Sequence, residues 1–115
     1  MSKNYISLLC LSLRLAGSVA AHRFVTAAGT QAAADGNALG VARTAGEAGQ
    51  IIPADSMGTA TVEAGAAIDA GTTVKVDALG RAIAWAASGA RVGVALETAT
   101  AAGQLIEVRL LDNAA

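Results

Sequence analysis

The chain is short of nearly every residue type that usually carries chemistry. Among its 115 residues there is one cysteine, one histidine and one proline. A single Cys10 excludes an intrachain disulfide and reads as a small buried hydrophobe. A single His22, with no second His and no Cys pair, excludes the ordinary zinc sites. A strand-surface or interface position is expected for it. Trp, Tyr and Phe occur once each, too few for the stacked aromatics of a single-strand nucleic-acid groove. An excess of one charge is also missing: eight Lys and Arg stand against nine Asp and Glu, for a net charge of −1. That gives no support to binding along a phosphate backbone, and there is no acidic tail. The apolar run near the N-terminus falls short of the roughly 20 residues that cross a bilayer. Neither nucleic acid nor membrane is therefore expected as a partner.

Catalytic patterns are absent as well. No G-x-S-x-G, no phosphate-binding glycine loop ending in Lys-Ser/Thr and no H-E-x-x-H occurs. Asp35, Asp55, Asp69 and Asp77 mostly sit beside Gly, Ala or Ser, where aspartate forms turns. Glu63, Glu97 and Glu107 alternate with apolar neighbours and should face outward. The expectation is a protein that is not an enzyme and holds no metal or cofactor.

What the chain does have is alanine and glycine: apolar residues make up 54%, thirty residues are Ala, and Gly contributes thirteen. Hydrophobic stabilisation follows buried apolar area at roughly 25 cal/mol per Å², and Ala supplies little of it. A protomer so lean in bulky side chains should be completed by neighbouring subunits. Phe24 and Trp85, with most of the aromatic area, are the expected anchors of a core or a subunit interface.

The start, "MSKNYISLLCLSLRLAGSVAAHR", imitates a secretory signal, with Lys3 before an apolar run and Ser18-Val19-Ala20 as a cleavage site. Arg14 interrupts that run. Parity favours a half-buried strand instead: Leu9, Leu11, Leu13 and Leu15 share one face of an extended chain, and Cys10, Ser12, Arg14 and Ala16 share the other. An amphipathic helix is the third reading. From Gly17 onward, short β-type runs alternate with glycine turns. The expected strands are 22–26, 38–43, 50–54, 59–63, 72–77, 82–85, 91–96 and 104–111. Asp35-Gly36-Asn37 and Leu79-Gly80 read as turns. Stretches 45–48 and 97–102 carry enough Ala for a single helical turn each. Pro53, lacking an N–H, should end its strand early, while 104–111 should be fully paired. Turns every 8–12 residues indicate an all-β sandwich or barrel.

The chain also repeats itself. "GVARTAGEAGQIIPA", 40–54, resembles "GVALETATAAGQLIEVRL", 93–110. Upstream, Gly17 pairs with Gly65 and Val25 with Val76; Gly49 pairs with Gly103. The reading is two related halves of about fifty residues, approximately 13–54 and 61–110, closing one core between them. They would form a single β-rich domain over 7–115, preceded by an arm over 1–6.

These residues carry a resemblance to phage capsid cement, or head decoration, proteins. "MSKNYI", 1–6, resembles the opening of such proteins. The Gly-Val-Ala phrases at 40–52 and 93–110, and Ala70-Gly71-Thr72-Thr73-Val74-Lys75-Val76-Asp77 with its turn at Gly80, resemble their middle and end. The resemblance implies a structural virion protein on the outer surface of an expanded head, present in the host cytoplasm during assembly. It implies a homotrimer whose partner is the major capsid protein and which stabilises the shell against internal DNA pressure. The arm residues Ser2, Lys3, Asn4, Tyr5 and Ile6 are the expected capsid contact. The base of a head fibre, or a small surface-binding β-module, is the alternative.

Overall fold

The alternation of Leu and small polar residues at the N-terminus does produce a strand. In the computed structural model, which describes residues 6–111, β1 spans Ser7–Arg14. It pairs antiparallel with β4, Ile51–Glu63. The remaining strands are β2 (Phe24–Val25), β3 (Gly40–Ala42), β5 (Thr73–Val76), β6 (Ala82–Ala84), β7 (Gly93–Ala95) and β8 (Leu105–Leu110). Every pairing between them is antiparallel. They form one sheet in the order β2-β3-β4-β8-β7-β5-β6, with β1 added to β4. The fold is all-β, a nearly closed barrel-like sheet. The helical turns expected at 45–48 and 97–102 do not form; bends, a turn and single bridges occupy those stretches instead.

β4 organises the molecule. Its first part carries β1 on one side and β3 on the other, and its second part carries β8. The two strands expected at 50–54 and 59–63 are thus one strand of thirteen residues, and Pro53 does not break it. The reason is where the proline nitrogen faces. The Pro53 carbonyl accepts from the Arg43 N–H at 3.0 Å, and a strand residue's N and O point to the same side. The missing N–H therefore faces away from β1, toward Arg43 just past the end of β3, and takes no bond from the β1–β4 ladder. The changeover falls at Gly58, with φ +94°. A Cβ there would strike the Ile6 carbonyl oxygen and the Leu8 nitrogen, so only glycine lets β1 cross the bend.

The second part of β4 closes a ring with β8, β7, β5 and β6. An Ala64–Ala82 bridge seals it, and the Gly65 N–H donates to the Ala82 carbonyl at 2.7 Å. Its interior holds Val62, Val74, Val76, Val92, Ile106 and Val108 among other fully buried side chains. A second, smaller cluster contains Leu13, Leu15, Val19, Val25, Ala42, Ile52 and Ala54. The expectation of one shared core is thus replaced by two clusters. β2 and β3 stand between them: Phe24 and Val41 face the larger, Val25 and Ala42 the smaller. Both strands are buried on both faces, so they show no alternation.

The backbone repeats a set of hydrogen bonds. The Leu15 N–H donates to the Gln50 carbonyl and the Ala64 N–H to the Gln104 carbonyl, both at 2.8 Å. Val19 bridges Gly46 as Ile68 bridges Ala99. The His22 N–H reaches the Ala42 carbonyl as the Gly71 N–H reaches that of Ala95. Gly49 and Gly103 both adopt positive φ, and the side-chain carbonyls of Gln50 and Gln104 both cap a loop N–H at 2.8 Å.

Candidate surface for assembly

Four of the five arm residues, Ser2, Lys3, Asn4 and Tyr5, lie outside the described residues. The fifth, Ile6, is 60% exposed and already joined to β4. Its N–H donates to Thr59 Oγ1 and its carbonyl accepts from the Thr59 N–H, both at 2.6 Å. Beyond it the pairing shifts twice, between Ser7 and Leu9 and again between Leu9 and Cys10. Such bulges re-aim side chains, and here they break the parity expected of the leucines. Leu13 and Leu15 are buried, but Leu9 is exposed and Leu8 is 72% exposed. Cys10 is exposed, not buried.

Leu8 lies over a groove of ≈ 560 Å³ formed where β1, the β4 bend and the end of β8 meet. Ile6, Leu8, Met57, Leu110 and Leu111 line it, with Arg109 at the margin. The groove is mostly apolar, and Ile6, Leu8 and Met57 are all at least half exposed. No period in the sequence marks it. Its residues come from three separated segments and meet only because Gly58 bends the longest strand.

Near it, polar groups tie β1 to the sheet. Asp55 is 3% exposed. Its carboxylate accepts from Ser7 Oγ at 2.7 Å and from Arg43 Nη2 at 2.6 Å. One aspartate on β4 thereby holds β1 and the end of β3, which is structural work; a turn was expected at this residue. Glu63 is half-buried between Arg23 (3.0 Å) and Arg81 (3.9 Å), not outward-facing. His22 precedes β2 in a turn with φ +63°, its Nδ1 3.3 Å from the Thr61 carbonyl. Among the described residues, no three of His, Cys, Asp and Glu come together as metal ligands.

The two expected anchors separate. Phe24 is fully buried in the larger cluster. Trp85 belongs to neither cluster. It is half-buried just after β6, with Nε1 donating to the Gly89 carbonyl at 2.9 Å and the Arg91 guanidinium 4.5 Å above its ring. The loop between them contains Ala87 at φ +77°, a conformation that costs a residue with a Cβ roughly 1–2 kcal/mol. Of the two roles expected for Trp85, the core one falls away.

No curated protein matches the chain significantly. The crystal structure of the head fiber gp8.5 N base in bacteriophage phi29 is similar in fold: TM-score 0.70 at 20% identity, over 90% of this chain and 93% of that one. A family model described as phage cement protein matches residues 9–110. With all eight strands inside or overlapping that match, the chain belongs to the phage cement protein family.

Proposed function

We propose that the chain decorates the outer surface of an expanded phage head by binding the major capsid protein, and strengthens the shell against internal DNA pressure. The family match over 9–110 carries this reading. A protein that binds only the expanded lattice stabilises that lattice by mass action. Joining copies into a trimer, as the family resemblance implies, adds avidity. The apolar groove supports a contact at this end of the molecule, because the arm residues Ser2–Tyr5 directly precede Ile6 on its wall. The balanced charge supports protein partners over nucleic acid or membrane. Structural and not catalytic work, and descent of the two halves from one duplicated unit, belong to the same proposal. The recurring hydrogen bonds support the latter.

Deleting residues 2–5 and measuring occupancy on expanded heads tests the arm. Occupancy should fall sharply; unchanged occupancy rejects the arm as the capsid contact. Trp85→Ala tests the interface role and should weaken assembly while leaving the fold intact. The head-fibre base is the second reading, favoured by the fold likeness to the phi29 head fiber base. Copy number in purified particles separates the two: hundreds per particle for cement, a few dozen or fewer for a fibre base.

A further inference from the structure

Among the described residues, β1 is the only strand longer than four residues with an unpaired edge: β4 and β8 are bonded on both sides. The groups it presents can be read from the register. Ser12 lies opposite Pro53, and the Pro53 carbonyl points the other way, to Arg43. Facing residues that do not exchange hydrogen bonds turn their N–H and C=O groups outward. Cys10 and Arg14, two residues to either side, share that orientation. The Leu15 N–H, of the opposite parity, points inward to Gln50, and the Ala16 N–H points outward to Gly29 at 2.9 Å. Gly29 also packs against the Arg14 carbonyl, so the covered part of the edge begins at Arg14 and the stretch from Cys10 to Leu13 is left open.

Natural edge strands are blunted by Lys, Pro or inward-pointing charge. Here the stretch from Ser7 to Leu13 holds no charged residue and no proline, and Leu8, Leu9 and Cys10 beside it are exposed. The ring end of the sheet is managed differently, since β6 is bridged to Ala64. A second copy of the chain therefore offers one matching long edge, and that edge is β1 itself.

We infer that β1 pairs antiparallel with β1 of a second copy about a two-fold axis, continuing the sheet across the two molecules. Like edges make such a contact self-complementary. The single charge agrees: antiparallel pairing centred near Cys10, the middle of the uncharged stretch, leaves the two Arg14 side chains at opposite ends and brings the two Cys10 residues close together. On a decorated head this contact links neighbouring oligomers to each other, whichever capsid surface each one grips.

The sole cysteine supplies the readout. A short-spacer bis-maleimide is applied to the purified full chain, and Cys10-linked dimers are quantified. Wild-type protein should give linked dimers whose yield rises with concentration. Ser12→Pro removes an outward donor and leaves pairing to β4 untouched. It should cut the yield about tenfold, the loss expected from deleting a backbone hydrogen bond from each copy. Ser12→Lys keeps the donor, alters only an exposed side chain and should cut the yield as well, which guards against misfolding of the proline variant. Absence of linked wild-type dimers, or an unchanged yield in both variants, overturns the inference. Lost head occupancy in Ser12→Lys with unchanged self-linking also overturns it and gives the edge to the capsid.

Discussion

Two regions of the molecule use one hydrogen-bonding scheme and fill it differently. Around β1, β3 and the first part of β4, the scheme encloses a small cluster and leaves a strand edge open. Around β5 to β8, it encloses a larger cluster and seals itself through Ala64 and Ala82. The backbone geometry is therefore not what limits closure. A third hairpin strand is present in one region as β6. In the other, only a single bridge from Val25 to Gln31 stands in the corresponding place. Side-chain supply follows: valines and two isoleucines fill the larger cluster, while leucines on the open side spill onto the surface.

The deepest test of that contrast uses two isoleucines in matching positions. Ile106 faces Val62 and Ile52 faces Leu13 across their respective ladders. Truncating a buried Ile to Ala costs about 2–5 kcal/mol, more where the site cannot collapse. Ile106→Ala should lie toward the top of that range and Ile52→Ala toward the bottom, as read by urea unfolding. Equal losses would mean the two clusters are equally rigid.

Next come the glycines that open the two Gly-Val-Ala phrases. A Cβ on Gly40 would strike the Asp55 carbonyl, and one on Gly93 would strike the Val108 side chain and the Arg109 carbonyl. Overpacking of this kind costs about 1–3 kcal/mol. Gly40→Ala should be the worse, because its first obstacle is backbone while Gly93 first meets a movable methyl. Unfolding midpoints of the two variants decide the order.

A smaller effect of opposite sign separates His22 from Gly71. Both hold positive φ and donate an equivalent N–H, yet only one is glycine. Gly71 has open space around its Cβ position, so Gly71→Ala should cost about 1 kcal/mol through backbone strain alone. His22→Gly should return a similar amount, less the Nδ1 contact to Thr61. A large loss of stability in His22→Gly would show the imidazole to be worth more than the strain it imposes. The smallest difference is expected between Gln50→Ala and Gln104→Ala. Each loses one side-chain cap on a loop N–H, worth about 1 kcal/mol, and thermal melts should shift by nearly equal amounts.

Much of this architecture was legible because β-strands announce themselves by parity and glycine. Each of the eight strands overlaps a stretch the sequence marks as β-type, and the turn at Gly80 is where Asp77 places it, with Asp77 Oδ1 accepting from the Leu79 and Arg81 N–H groups. Illegible features arose where a third dimension decides. Pro53 is a strand breaker only if its nitrogen faces a partner, and the sequence cannot say which edge β3 vacates. Cys10 and Leu9 were assigned faces by strict alternation, which two register shifts cancel. Asp55 has the surroundings of a turn residue and becomes a buried clamp because Ser7 and Arg43, 48 and 12 positions away, converge on it. The groove was hidden for the same reason.

The unbroken run of β4 has a mechanical meaning. One strand serves as a wall of both clusters, so neither can come apart without stripping backbone partners from the other. A pull along β4 loads the ladders to β1, β3 and β8 in shear, where many bonds must yield together, and does not peel them one at a time. For a phage cement protein, that turns a chain more than a third alanine and glycine into a rivet.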